Sequence, residues 1–161
     1  MSSGPENRYI ASIHRLLPDA VYREKMHNPY RGGTFDVWYS GKTADLWIEY
    51  KWVHRIPKSD ILVPELSELQ LKWGRGRTKE GRSLNVVVGS PLGGVIFNTP
   101  DSWEAGIGEC SKFLLDKRQI ANRISALTTG EGIDDGSSTS GRRRSGKRIR
   151  IQDTDRRLSN L

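Results

Sequence analysis

Charged side chains interrupt an otherwise apolar strand-like segment, residues 44–53. Glu49 and Lys51 are two positions apart there, so in an extended strand both project from one face of the sheet. Asp36 lies in the preceding strand-like segment, 34–40, and the short turn between the segments predicts that they pair as antiparallel neighbours. The pattern therefore brings two carboxylates and one ammonium group together.

Two neighbouring carboxylates repel each other, and burying them without a partner costs several kcal/mol per charge. A divalent cation removes this cost. Mg²⁺ suits carboxylate oxygens, keeps several of its own waters and accepts phosphate oxygens, and Mn²⁺ is its expected substitute. Lys51 beside such an ion would orient or help to deprotonate a water that attacks phosphorus. These residue types favour metal-dependent phosphodiester hydrolysis.

Glu6 is a third acid, on a predicted helix that begins at Pro5 and ends at Pro18. It precedes Tyr9 and Ile10, the first residues of the apolar stripe, so it sits at the stripe's buried edge. Because the stripe must pack on the same sheet, Glu6 is a candidate member of the site. The alternative is an ordinary favourable acid in a first helical turn.

The remaining patterns predict an α/β fold, a mixed β-sheet flanked by helices in the order α-β-β-β-α-β-β-α. A helix over 65–80 has Leu66, Leu69 and Trp73 inside, with Gln70 beside them. The other predicted elements are strands over 20–26, 84–89 and 94–97 and a closing helix from about 102 to 127, capped by Asp101 or Ser102 and broken early by Gly106 and Gly108.

The chain has 161 residues, a net charge of +7 and one cysteine, Cys110. No apolar run is long enough to span a bilayer and no signal peptide is visible, so we expect a reducing, cytoplasmic setting. Residues 1–128 are expected to form one domain, and residues 129–161 a disordered basic tail. That tail would either grip phosphates or only keep the protein soluble.

The basic charge makes nucleic acid a reasonable partner. Two segments carry cations and aromatic rings suited to DNA, namely the loop before Asp36 and the end of the 65–80 helix. The candidate DNA-binding residues are Lys25, Tyr30, Arg31, Lys72, Arg75, Arg77, Lys79 and Arg82.

The order E…D…E-x-K followed by a helix carrying Gln resembles the PD-(D/E)XK nuclease superfamily, specifically its small, phage-type VRR-NUC branch. The matching segments are GGTFD (32–36), WIEYK (47–51), LSELQLKW (66–73) and EGRSLNVVVG (80–89). The resemblance covers about residues 5–98. Phe35 stands where the family has proline, which changes backbone rigidity but removes no ligand.

The resemblance implies a restriction-endonuclease-like fold and a Mg²⁺-dependent DNA endonuclease, with branched DNA such as a Holliday junction as an expected substrate. Asp36 and Glu49 would bind the metal, Lys51 would serve the nucleophile, Glu6 would be the helix acid and Gln70 the accessory helix residue. A phage origin, and hence the cytoplasm of a host cell, fits this branch. A homodimer is compatible because cutting two strands needs two active sites.

Alternatives remain open on sequence alone. Asp45 rivals Asp36, because it shares the face of Glu49 on the same strand, although it lies at the turn end. Glu49 and Lys51 also fit an ion pair on an exposed strand. At the level of function, the rivals are a nucleic-acid-binding module without catalysis and a phage structural or interaction protein.

Overall fold

Five strands form one mixed sheet in the computed structural model, which describes residues 3–28, 30 and 32–133. The strands lie in chain order across the sheet. Antiparallel pairs join β1 to β2, β2 to β3 and β4 to β5, whereas β3 and β4 run parallel. The strands are β1 (Tyr22–Lys25), β2 (Val37–Ser40), β3 (Asp45–Trp52), β4 (Leu84–Ser90) and β5 (Gly93–Phe97).

Helices cover both faces of this sheet, which confirms the predicted α/β class. The helices α1 and α4 supply apolar residues to one core, and α3 supplies Trp103 to the other, against which α2 also packs. Among the described residues, no helix combines the length and apolar character that crossing a membrane requires. The helices are α1 (Pro5–His14), α2 (Glu68–Lys79), α3 (Pro100–Ala105) and α4 (Lys117–Thr129).

The side chains of β3 alternate between the two faces of the sheet. On β3, Leu46, Ile48 and Tyr50 enter the α1/α4 core, while Trp47 packs into the core on the opposite face. Every residue of β4 is buried, as expected for a strand covered on both sides. The face that carries Trp47 also carries Glu49 and Lys51, since side chains two positions apart share a face.

The prediction of a single closing helix is wrong. The segment is divided into α3, a 3₁₀ turn at Cys110–Phe113 and α4, with Gly106 at φ +77° ending α3. The cap of α3 is neither Asp101 nor Ser102 but Thr99, whose hydroxyl accepts from the Ser102 backbone amide. The predicted domain boundary at residue 128 falls within the last turn of α4. The predicted tail lies outside the described residues from residue 134 onward.

Two apolar side chains do not lie where the sequence patterns put them. In a regular strand Phe35 would share the face of Val37 and Tyr39, but it packs in the opposite core because regular pairing of β2 begins only at Val37. Leu69 was expected on the inner stripe of α2, yet it is 56% exposed. Leu66 and Trp73 pack on the core as predicted, and Leu71 joins them.

Candidate active site

Asp36 and Glu49 are direct neighbours across two strands. Regular pairing of β2 with β3 begins at Val37, which lies opposite Ile48, and Asp36 and Glu49 are the residues next to that pair. The Asp36 backbone amide donates to Glu49 Oε2 at 3.1 Å, and the Tyr50 amide donates to Asp36 Oδ2 at 3.1 Å. The two carboxylates are therefore held side by side by the backbone where β2 begins.

The Glu49 side chain is almost closed to solvent, with an exposed fraction of 1%. Lys51 Nζ lies 3.0 Å from Glu49 Oε1, and Gln70 Nε2 donates to the same oxygen at 2.6 Å. The Lys51 side chain is one-quarter exposed, so its ammonium group can meet both the carboxylate and a molecule arriving from solvent.

Gln70 is fixed by the N-terminal cap of α2. The Gln70 backbone amide donates to Ser67 Oγ, and Gln70 Oε1 accepts from the Ser67 backbone amide at 3.0 Å. This reciprocal capping box engages the amide oxygen, which leaves Nε2 to donate to Glu49. Helix α2 therefore presents its positive, N-terminal end to the buried carboxylate.

Glu6 joins the same site from the opposite layer of the fold. It lines a cleft of about 670 Å³ together with Lys51, Gln70, Ser67 and Glu65. Burial raises the pKa of Glu6, and the Asp36 carboxylate raises it further, while Lys51 and Lys25 act in the opposite direction. The helix acid and the strand acids therefore share one electrostatic environment.

Burial also raises the pKa of both strand acids. The pKa of Glu49 rises to about 7, mainly through burial and secondly through the Asp36 carboxylate, although Lys51 opposes the shift. Burial raises the pKa of Asp36, against which the Tyr50 amide, Lys51 and Lys25 act. The surrounding positive charge does not fully compensate three neighbouring carboxyl groups, so a cation would stabilise their charged forms.

The donor set fits a hard divalent cation. Asp36 and Glu49 offer carboxylate oxygens, and within the described residues no hydrogen-bond donor contacts Asp36 Oδ1. The same part of the chain contains no group of three His, Cys, Asp or Glu side chains gathered closely enough to cage an ion. Two carboxylates with the remaining positions left to water and substrate oxygens match the preference of Mg²⁺.

The rival acid Asp45 lies at the far end of β3 from Lys51. It is exposed and accepts from the Ser40 hydroxyl at 2.6 Å, beside the turn to β2. The geometry therefore favours Asp36 over Asp45 as the partner of Glu49.

The candidate DNA-binding residues fall into different places. Lys25 bonds to Asn7 and affects the pKa values of Glu6 and Asp36, so it lies near the site. Tyr30, Lys72 and Arg77 line a second cleft. Arg75 instead pairs with Glu104 and lies 4.0 Å from Asp101, both on α3. Lys79 and Arg82 are exposed at the end of α2 and just beyond it, and Arg31 lies outside the described residues.

Two contributors to the site are absent from the sequence predictions. The Tyr50 backbone amide orients Asp36, and a backbone group leaves no residue-type signal. Ser67 did leave a sequence signal, because Ser67 and Gln70 have the S-x-x-Q spacing of a capping box before an apolar run.

No protein-family model and no curated protein matches this sequence. Among solved structures, the chain is similar to Hjc, a Holliday junction resolvase from the hyperthermophilic archaeon Archaeoglobus fulgidus. The sequence identity is 14% and the TM-score 0.46, and the alignment covers 74% of this chain and 97% of that chain. The likeness is distant.

Proposed function

We propose that this protein is a Mg²⁺-dependent endonuclease that hydrolyses DNA phosphodiester bonds, of the PD-(D/E)XK type and its VRR-NUC branch. The observation that carries the proposal is the placement of Asp36 opposite Glu49, with Lys51 and Gln70 on the same carboxylate. Two carboxylates held beside Lys51 and Gln70, which line an open cleft, suit phosphoryl chemistry better than a surface ion pair does.

Asp36 and Glu49 would hold the metal ion. When bound, Mg²⁺ supplies charge neutralisation at the phosphate and a water of lowered pKa. The backbone amides of Asp36 and Tyr50 orient the two carboxylates before any ligand arrives. This preorganisation lowers the cost of assembling the site when substrate binds.

Lys51 and Gln70 act on Glu49 and on the approaching substrate. Lys51 Nζ, 3.0 Å from Glu49 Oε1 and exposed in the cleft, is placed to hydrogen-bond the attacking water or a phosphate oxygen. Gln70 fixes the Glu49 carboxylate through its amide hydrogen. Glu6, on the same cleft, is the candidate to accept a proton or to hold a water.

DNA is the substrate that fits the charge of the molecule. The net charge is +7, and Lys25 lies close to the acidic cluster. Cations beside a carboxylate site favour a polyanion that must approach those carboxylates. A preference for branched DNA is part of the proposal.

The proposal is tested by incubating the full chain with linear, flapped and four-way-junction DNA in Mg²⁺, with an EDTA control. We expect cleavage that EDTA abolishes and that Glu49→Ala and Lys51→Ala each reduce at least about 100-fold. Asp45→Ala is the matched control, because it removes an acid from the same face of β3 outside the site, and it should cleave normally.

Unchanged cleavage by Glu49→Ala would show that the site is wrongly assigned. Binding without cleavage of any DNA by the unaltered protein would favour a nucleic-acid-binding module, and neither binding nor cleavage would favour a structural protein. Sedimentation of the same samples reports whether the active form is a monomer or a homodimer.

A further inference from the structure

A second cleft, of about 600 Å³, lies along the exposed side of α2. Its helical wall consists of Leu69, Lys72, Trp73, Gly76 and Arg77, whose spacing places them on one face of the helix. Tyr30, 93% exposed, belongs to the loop before β2 and also lines the cleft. Its volume is in the range of small-molecule and nucleotide sites.

The cleft adjoins the candidate active site through two chain segments. Gly33 adopts φ +100°, and a Cβ there would lie 2.5 Å from the Leu69 carbonyl oxygen, so the chain crosses α2 at close range just before Asp36. On α2, Leu69 directly precedes Gln70, which bonds to Glu49. A strand of DNA that passes the carboxylates is therefore within about one helical turn of this cleft.

The chemistry of the walls matches a nucleobase. Trp73 is held in place by Phe35 and Trp47, with ring centroids 5.2 and 5.4 Å away, so its position at the cleft is fixed before binding. A flat, apolar base face suits a wall of Trp73 and Leu69. Leu69 is exposed, which the helical pattern did not predict, and a bound base would cover this apolar side chain.

The cations of the cleft match the phosphates beside such a base. Lys72 is exposed and pairs with no acid among the described residues. Arg77 Nη2 donates to Glu80, but Arg77 Nε is buried and has no acceptor in the described part of the chain. None of the residues that line this cleft is acidic. Because Arg77 is paired with Glu80, Lys72 is the cation that this cleft offers to a phosphate, and an apolar wall beside it is complementary to a base and its adjacent phosphate.

We propose that this cleft binds one unpaired nucleobase of the DNA, between the Trp73/Leu69 wall and Tyr30, with Lys72 on an adjacent phosphate. The inference rests on the proposed function and narrows its substrate class to DNA with unpaired nucleotides near the scissile bond, such as a flap. A fully paired duplex keeps its bases stacked and would leave the cleft empty.

The test measures binding in EDTA, so it does not depend on cleavage. The probes are a duplex with a single-stranded thymidine flap, the same flap with an abasic site at each position in turn, and the fully paired duplex. We expect the flapped DNA to bind at least about fivefold more tightly than the duplex. An abasic site at one position of the flap should weaken binding at least about fivefold relative to the intact flap.

A blocking variant locates the effect. A Cβ at Gly76 meets open space, so Gly76→Phe should fill the cleft without disturbing the fold. It should lose the preference for the flap, whereas Gly108→Phe, the same change at another open position outside the cleft, should keep it. Circular dichroism of both variants checks their folding.

If no abasic position weakened binding, the inference would be wrong. The scan uses the unaltered protein, so this test remains valid even if Gly76→Phe fails to fold. Flap binding that survives in folded Gly76→Phe would overturn the inference too. If that variant instead changed only the sedimentation of the protein, the cleft would be a contact between copies and the proposal would be wrong. If the protein bound DNA in a base-dependent way but cleaved none, the proposed nuclease activity would be wrong and the base-binding cleft would stand.

Discussion

At the scale of single residues, Glu49 combines burial, charge and three hydrogen-bonding partners. Its carboxylate contacts Lys51, Gln70 and the Asp36 amide while only 1% of the residue is exposed. Buried charges are usually matched by opposite charges, and Glu49 has Lys51, but a second carboxylate, Asp36, lies beside it and opposes its charged form. Such an arrangement lowers stability unless a ligand uses it, which is typical of functional sites.

This cost predicts a pH dependence of stability in EDTA. Burial raises the pKa of Glu49 from 4.5 to about 7, so its contribution to folding is complete below about pH 4.5 and is lost as the pH rises through 7. Between about pH 5 and pH 8, the free energy of unfolding of the unaltered protein should therefore fall relative to Glu49→Gln. The fall is about 3 kcal/mol at most, since one pKa unit corresponds to about 1.4 kcal/mol.

Urea unfolding of the two proteins at four pH values measures this difference. The comparison of slopes cancels any constant effect of the lost hydrogen bond in the glutamine variant. Parallel curves over the whole range would show that Glu49 does not carry an unfavourable buried charge.

At the scale of elements, the cap of α2 positions a side chain of the site. Ser67 and Gln70 form a reciprocal cap, and the same Gln70 amide group contacts Glu49. The helix end therefore serves both helix stability and the orientation of the carboxylate.

Ser67→Ala should lower stability by about 1 kcal/mol and cleavage by about tenfold, because it releases the side chain that orients Glu49. Asp116→Ala is the matched control, since Asp116 and Gln119 form the equivalent cap of α4 away from the site. It should lose similar stability and keep full cleavage. Ser67→Thr, which retains the cap oxygen, should restore activity.

Chemical denaturation and single-turnover cleavage of the three variants give both quantities. Equal losses of cleavage in Ser67→Ala and Asp116→Ala would mean that the cap acts through stability alone.

Sequence patterns predicted most helices and strands, because burial of one face dictates the spacing of apolar residues along each element. The short turn predicted that β2 and β3 pair, which brings Asp36 close to Glu49, and the alternation on β3 predicted that Glu49 and Lys51 share a face. The division of the closing helix was only partly foreseen, since Gly106 was read as an early break but not as the end of a separate helix. Leu69 was misplaced because a helical stripe assigns every apolar residue to the core, whereas this one borders a cleft.

At the scale of the whole molecule, the site draws on both helical layers. Glu6 comes from α1, which packs on one face of the sheet, while Gln70 comes from α2 on the other. Both residues line one cleft with Lys51, which lies near the end of β3. The parallel neighbour of β3, strand β4, supplies Val88 to the same cleft. This juxtaposition depends on the tertiary fold, so no local pattern could specify its geometry.

The proposed chemistry requires Asp36 and Glu49 together to hold one divalent cation. Mn²⁺ binding to the full chain, followed by electron paramagnetic resonance, tests it without reference to any substrate. We predict that Asp36→Asn and Glu49→Gln each weaken binding at least about tenfold, while Asp45→Asn binds as the unaltered protein does. Undiminished binding by either of the first two variants, or an equal loss in Asp45→Asn, would contradict the account.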